Sequence, residues 1–142
     1  MNKVICQNRK ARFEYEILET IEAGIVLTGT EIKSVRQNHV SLDGAFAVVQ
    51  DHQVMLINCS IEPYKNGNIF NHETKRQRRL LLNKSEIRHF AEKAQIKGYT
   101  IVPLSIYLKN GIAKIELAVC KGKQIHDKRA AIKDRDLKRN QE

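Results

Sequence analysis

The chain has 142 residues, 42% of them hydrophobic and 29% charged, enough for one domain to bury a core without metal ions or disulfides. With 25 Lys and Arg against 16 Asp and Glu, the formal charge is +9, which favours a polyanionic partner: nucleic acid or an anionic membrane surface. Cys6, Cys59 and Cys120 lie far apart without Cys-x-x-Cys spacing, which argues against a disulfide framework or zinc site. No apolar run reaches membrane-span length and no signal-peptide core opens the chain, so a cytoplasmic protein is expected.

In chain order, "ARFEYEIL" (11–18) alternates, with Phe13, Tyr15 and Ile17 facing one way and Arg12, Glu14 and Glu16 the other, which predicts a half-buried strand. An apolar patch from Ile25 to Leu27 follows. A short helix then fits Ile32 and Val35, with Thr30 as N-cap and Lys33 and Arg36 outside. Two apolar runs around Asp51-His52-Gln53 read as a hairpin, and "EPYKNGNIFNHETKRQRR" reads as a long loop. "NKSEIRHFAEKAQIKG" is the clearest helix: Asn83 caps, Glu86 holds the reciprocal capping position, Gly98 ends it, and Ile87, Phe90, Ala91 and Ala94 form the apolar stripe. Asn110-Gly111 joins two alternating strands, the strongest short hairpin signal available. About six strands and two helices result. Many short antiparallel strands need closure to hide their edges, which a small barrel provides.

Five histidines, His39, His52, His72, His89 and His126, show no metal spacing. A hydrolase would have to join His72 and Glu73 with Ser60 or Cys59, yet no nucleophile motif surrounds either residue, and no glycine-rich phosphate loop appears. The basic clusters "NRKAR" (Asn8 to Arg12), "KRQRR" (Lys75 to Arg79) and "KGK" (Lys121 to Lys123) are the better signal. Singly each reads as a solvated face; together around one barrel they offer a polyanion a track. Tyr15, Tyr64 and Phe70 are stacking candidates, although Tyr15 sits at an alternating core position. A nucleic-acid-binding barrel is as far as residue chemistry goes.

The strings "NRKARFEYEILETIEAGIVLTGTEIKSVR", "INCSIEPYKNGNIFNHETKRQRRLLLNKSEI", "YTIVPLSIYLKNGIAKIELAVCKGK" and "HDKRAAIKDRD" resemble the small protein B (SmpB) family. That family partners transfer-messenger RNA (tmRNA, SsrA) in bacterial ribosome rescue. The resemblance implies a mainly β fold, a closed antiparallel β-barrel of the oligonucleotide-binding (OB) type with about three helices. The barrel would span 1–123, and a basic tail, 124–142, would be disordered when free and helical on the ribosome. The implied function is that of a non-catalytic adaptor without cofactor. It would bind the tRNA-like domain of tmRNA and deliver it to the A site of stalled ribosomes. There the tail would stand in for codon–anticodon pairing, and the nascent chain would be tagged for degradation. The small-subunit decoding centre and 16S rRNA would be partners, EF-Tu and alanyl-tRNA synthetase indirect ones through tmRNA, and no membrane would be involved.

Carried over by position, the resemblance implicates Asn8, Glu22 and Leu81 in tmRNA binding, with Arg9, Lys10, Lys121 and Lys123 as cations beside them. Asn8 is expected to meet base or sugar edges and Arg9 and Lys10 the phosphates. Glu22 is either an acceptor for a guanine edge or 2′-hydroxyls, or a structural ion-pair partner. Leu81 is either an apolar contact to an unstacked base or a barrel core residue. For the tail, the resemblance assigns Gly122, His126, Asp127, Lys128, Arg129, Ile132, Lys133, Arg135, Lys138 and Arg139 to the decoding centre and message channel.

Overall fold

A computed structural model describes residues 2–64 and 71–122. Phe70, Lys123 and every tail position from His126 to Arg139 lie outside the described residues. Twelve elements follow one another: β1 (Asn2–Gln7), α1 (Arg9–Glu14), β2 (Tyr15–Ile25), α2 (Gly29–Arg36), β3 (Val40–Ser41), β4 (Phe46–Gln50), β5 (Gln53–Ile57), β6 (Ser60–Ile61), β7 (Arg78–Leu81), α3 (Lys84–Ala94), β8 (Tyr99–Lys109) and β9 (Ile112–Gly122).

Turn chemistry sets the hairpins. Asn110 and Gly111 both take positive φ, 52° and 79°, the conformation a two-residue turn needs to match strand twist. Asp51 and His52 do the same between β4 and β5. Helix α3 carries the expected capping box, in which the Asn83 side chain accepts from the Glu86 N–H and the Glu86 carboxylate accepts from the Asn83 N–H. It stops at Ala94, before Gly98, whose φ of 85° turns the chain into β8.

Two local expectations need correction. Residues 11–14 are helical, and the strand begins only at Tyr15. The reason is Asn8: its Oδ1 accepts from Ala11 N–H at 3.2 Å, which starts α1, and Ala11 then buries against the sheet. In α2 the cap is Thr28 rather than Thr30, because Glu31 completes a reciprocal box with Thr28. The three helices agree with the number implied by the family resemblance.

Seven strands form one antiparallel sheet in the order β1-β8-β4-β5-β7-β2-β9, with β9 also pairing β8; β3 and β6 form a separate two-stranded ladder. Between β8 and β9 ten residue pairs are in register, whereas β4 meets β8 only at Ala47 and Ile101. The expected closed barrel is therefore not clearly formed, and the architecture is a mainly β domain with three helices.

One core lies on the inner face of the sheet: Ile25, Val54, Leu56, Leu80, Ile101, Ile106, Ile115, Leu117 and Val119, with Phe90 of α3. Each such side chain contributes about 1.5–3 kcal/mol by burial. A second, smaller cluster lies on the opposite face of β8 and β9, where Val102, Leu104, Ala118 and Cys120 are covered by Ala11 of α1. Beyond α1 the outer face is partly open, with Glu22 and Leu81 exposed and Tyr107 buried. That remaining face positions the site.

Candidate nucleic-acid interface

The outer row is set by register. Gly24 pairs with Leu81 on one side and Lys114 on the other, and Lys114 pairs with Tyr107. A row Leu81–Gly24–Lys114–Tyr107 thus crosses four strands, and Glu22 and Glu116 face each other in the neighbouring row. Leu81 is 50% exposed, because its neighbour Leu80 takes the inward position at 2%. The barrel-core alternative for Leu81 is overturned. A Cβ on Gly24 would lie 3.2 Å from the Leu81 Cβ, so glycine keeps the floor beside Leu81 flat.

Glu22 stands at the centre of this face. The Tyr107 hydroxyl donates to its Oε2, and Lys109 Nζ lies 3.5 Å from Oε1. The Tyr107 hydrogen bond, with Lys109 and Lys114 nearby, holds the Glu22 carboxyl below its usual range. Burial first, and then the Glu22 carboxylate, push the Tyr107 hydroxyl up, so it remains a donor at neutral pH. Glu22 is both an ion-pair partner and an exposed acceptor.

Asn8 departs from its expected role. It is 3% exposed, and its amide nitrogen donates to the carbonyl oxygens of Leu42 at 3.3 Å and Pro103 at 3.0 Å while Oδ1 caps α1. With its side-chain amide buried and engaged inside the protein, Asn8 does not present that amide to a base; it fixes the helix that displays Arg9, Lys10 and Arg12. Arg12 reaches Glu116 at 3.6 Å, tying α1 to the rim of the Glu22 face. Beneath α1 a cleft of about 350 Å³ opens among Lys10, Glu14, Tyr15, Phe46, Thr100 and Val102. Tyr15 is half-buried against the second core cluster. Tyr64 lies under Lys33, 5.3 Å from nitrogen to ring centre.

The "KRQRR" cluster splits. Lys75 and Arg79 are exposed, but Arg78 is completely buried, with its guanidinium 2.6 Å from the equally buried Glu31. Arg78 also donates to the carbonyl oxygens of Cys59 and Thr74. Arg76 closes on the other Glu31 oxygen at 2.6 Å. Burial alone would raise the Glu31 carboxyl, but Arg76, the Thr28 N–H and Arg78 outweigh it and bring it down to about 2. Of the cations read as a track, Arg78 is therefore an internal counter-ion, and Arg76, with its side chain 35% exposed, is a partly exposed partner of the same carboxylate. Arg79 alternates outward with Leu81 and joins the outer face. The basic cluster Lys75 to Arg79 already held Arg79, but residue chemistry passed over Tyr107, Lys109 and Lys114; the alternation of Lys114 with Glu116 was the available signal.

Lys121 is exposed opposite Glu16 and Tyr99, and Gly122, the last described residue, lies opposite Tyr15 and donates its N–H to Gly98. The hydrolase constellation does not assemble. His72 Nδ1 is 2.8 Å from Thr30 Oγ1 and Nε2 is 2.9 Å from the Ile61 carbonyl oxygen, while burial pushes the Cys59 thiol up to about 12. Among the described residues no group of three or more His, Cys, Asp or Glu could hold a metal ion, and no helix is long and apolar enough to cross a membrane.

Taken together, the fold and its charge define a small basic β domain whose outer sheet face, partly open to solvent, is flanked by cations from α1, β7 and β9. Comparison with known proteins narrows it. A family model described as "SmpB protein" matches residues 5–142. An SsrA-binding protein of Ligilactobacillus salivarius is 54% identical over 97% of this chain and 89% of its own length. One from Caldicellulosiruptor saccharolyticus is 58% identical over 94% of this chain and 85% of its own. A solved structure described as "tmRNA-SmpB: a journey to the center of the bacterial ribosome" superposes with a TM-score of 0.71 at 47% identity, covering 84% of each chain. The chain belongs to the SmpB family.

Proposed function

We infer that this chain is an SsrA-binding protein that binds tmRNA in trans-translation. The single observation that carries the reading is the outer face, where exposed Leu81, acceptor Glu22 and the cations Arg79, Lys109 and Lys114 adjoin the cationic helix α1. Cations on the rim neutralise phosphate, and Glu22 and Leu81 add contacts that a phosphate track alone does not need. Leu81, Glu22, Arg9, Lys10, Lys121 and Lys123 are the proposed tmRNA contacts, with Asn8 acting through α1. The strand pairings run β8-β4-β5-β7-β2-β9 and back to β8, which supports reading the sheet as a barrel of the OB type.

On this reading the protein is a cytoplasmic, non-catalytic adaptor that brings the tRNA-like domain of tmRNA to the A site of stalled ribosomes, and meets EF-Tu and alanyl-tRNA synthetase only through that RNA. The tail is the part that enters the decoding centre. From Lys121 onward the sequence carries Lys121, Lys123, Lys128, Arg129, Lys133, Arg135, Lys138 and Arg139 against Asp127, Asp134, Asp136 and Glu142, a positive excess suited to a channel walled by RNA. So short a helix is marginal alone, so RNA walls would supply its order. A gel-shift titration with tmRNA against an unrelated RNA of equal length, at near-physiological salt, tests the reading. Tighter binding to tmRNA is expected; equal affinity would overturn it, because electrostatics alone gives that result.

A further inference from the structure

The described chain ends at Gly122, at a corner of the sheet that its own elements leave open. Gly122 pairs with Tyr15, and Lys121 pairs with Glu16 on one side and Tyr99 on the other. Alternation from Ile115, Leu117 and Val119 puts Lys121 on the core side of the sheet, away from α1. Glu16, opposite Lys121, faces that side too, and so does Leu18 two residues on. Leu18 is the extra residue of the β2 bulge, beside Cys120 and Val119.

Helix α3 covers this side only in part. It packs on β4, β8 and β9 and reaches β2 through His89, whose Nε2 meets Glu19 Oε1. Ile96 stands in the turn after α3, seven residues past His89 and therefore on the same side. Leu18 and Ile96 are each 43% exposed, which leaves a groove with apolar walls between the bulge and the end of α3. Glu16 is exposed beside it and has no ion-pair partner among the described residues. The chain leaves the sheet next to this groove, because the Gly122 N–H donates to the carbonyl oxygen of Gly98, two residues past Ile96. Residues 123–142 follow, and Ile125 is their first large apolar side chain. Three residues from Gly122, it reaches about 10 Å. Lys123, Lys128 and Arg129 flank it, opposite in charge to Glu16 and Glu19.

We propose that, in the RNA-free protein, Ile125 seats between Leu18 and Ile96 and holds the first cations of the tail beside Glu16 and Glu19. The contact is a shield, and it goes beyond the tmRNA-binding reading because it concerns RNAs the protein should ignore. A loose basic segment binds any RNA through phosphate alone. A tether this short gives an effective concentration of about millimolar, so one modest apolar contact keeps the segment docked much of the time. RNA that needs the segment undocked then binds more weakly, in proportion to the undocked fraction. A channel walled by RNA on every side offers enough phosphates to draw the segment out of the groove.

The test uses the full chain with Ile125→Ser, Leu18→Ser or both. Leu18 is exposed, so its replacement spares the fold. Amide NMR spectra of the RNA-free proteins should show Ile125→Ser shifting Leu18, Glu19 and Ile96, all distant from it in sequence. Leu18→Ser should in turn shift residues 124–129. In a gel shift with an unrelated single-stranded RNA at low salt, each single variant should bind about threefold tighter than wild type, the value for a segment docked about two-thirds of the time. The double variant should bind no tighter than either single one, since both remove the same contact. Spectral changes confined to the neighbours of position 125 would overturn the docking. Changes that grow with protein concentration would also overturn it, placing a second copy in the groove. Docking without a gain in RNA affinity, or gains that add in the double variant, would overturn the shield.

Discussion

Replacing Glu31 by Gln should strip the domain of a large share of its stability. Glu31 is fully buried and accepts from Arg78, also fully buried, and from Arg76, each at 2.6 Å. Gln keeps the shape but leaves two guanidinium groups facing a neutral amide. Breaking one side of a buried pair costs about 3–5 kcal/mol. Linkage gives a similar figure. Lowering the carboxyl from 4.5 unfolded to about 2 folded corresponds to about 3.4 kcal/mol at neutral pH. Because the folded value is the lower one, this contribution is complete above the unfolded value and fades as pH falls through the folded one. It should drop to about 2 kcal/mol near pH 3.5. Urea unfolding followed by circular dichroism at pH 7 and about pH 3.5 measures both numbers. A destabilisation below about 1 kcal/mol at pH 7 would refute the reasoning, as would a difference between the proteins that does not shrink in acid. The double change Glu31→Leu with Arg78→Met should cost less than Glu31→Gln, since no buried charge is then left without its partner.

Leu81→Ala should leave the melting temperature nearly unchanged, since the side chain is half exposed, while weakening tmRNA binding in a gel shift. Asn8→Ala should destabilise the protein by about 1–3 kcal/mol in urea, through loss of the α1 cap and of hydrogen bonds to two buried carbonyls. Its effect on RNA affinity should be recovered in part when the fold is stabilised by osmolyte, because Asn8 acts through α1 rather than by contact. Cutting the chain after Lys123 should spare tmRNA binding yet abolish nascent-chain tagging in a reconstituted translation reaction; lost RNA binding would place the tail in the primary RNA site.

The sequence disclosed elements wherever one local interaction decides. The Asn83 box and the Asn110-Gly111 turn are of that kind, and both stand where they were read. It misled where a partner distant in the chain decides. Glu31 sits 45 residues before Arg76 and 47 before Arg78, so nothing local marked those arginines as partners of a buried carboxylate. Asn8 carried a family signature, but only the fold shows that its amide is consumed by Leu42 and Pro103, the latter 95 residues away. Helix α1 was hidden because "ARFEYEIL" alternates well enough to pass for a strand throughout, and one capping bond at its start reverses that preference. Glu22 and Leu81 were marked as candidates by the family resemblance alone; that they share one face was not readable, because it depends on the β2–β7 register.

The last step concerns how one sheet comes to own two different outer surfaces. Strand β2 carries one extra residue at Leu18, between the Ile17–Cys120 and Glu19–Val119 pairs, and β8 carries one at Leu104. Side chains alternate with period two, so each extra residue exchanges inner and outer faces for everything beyond it. Before the β2 bulge, Tyr15 and Ile17 point outward and pack beneath α1 with Cys120. After it, Ile21, Ala23 and Ile25 turn into the main core, and Glu22 and Gly24 take the outer face. The apolar stretch that anchors the cationic helix and the polar stretch proposed to contact RNA thus lie on the same side of a single strand. Without the bulge, strict alternation from Ile17 would send Glu22 into the core and bring Ile21 outside. The two bulges, more than any single cation, are what place α1 beside the Glu22–Leu81 patch.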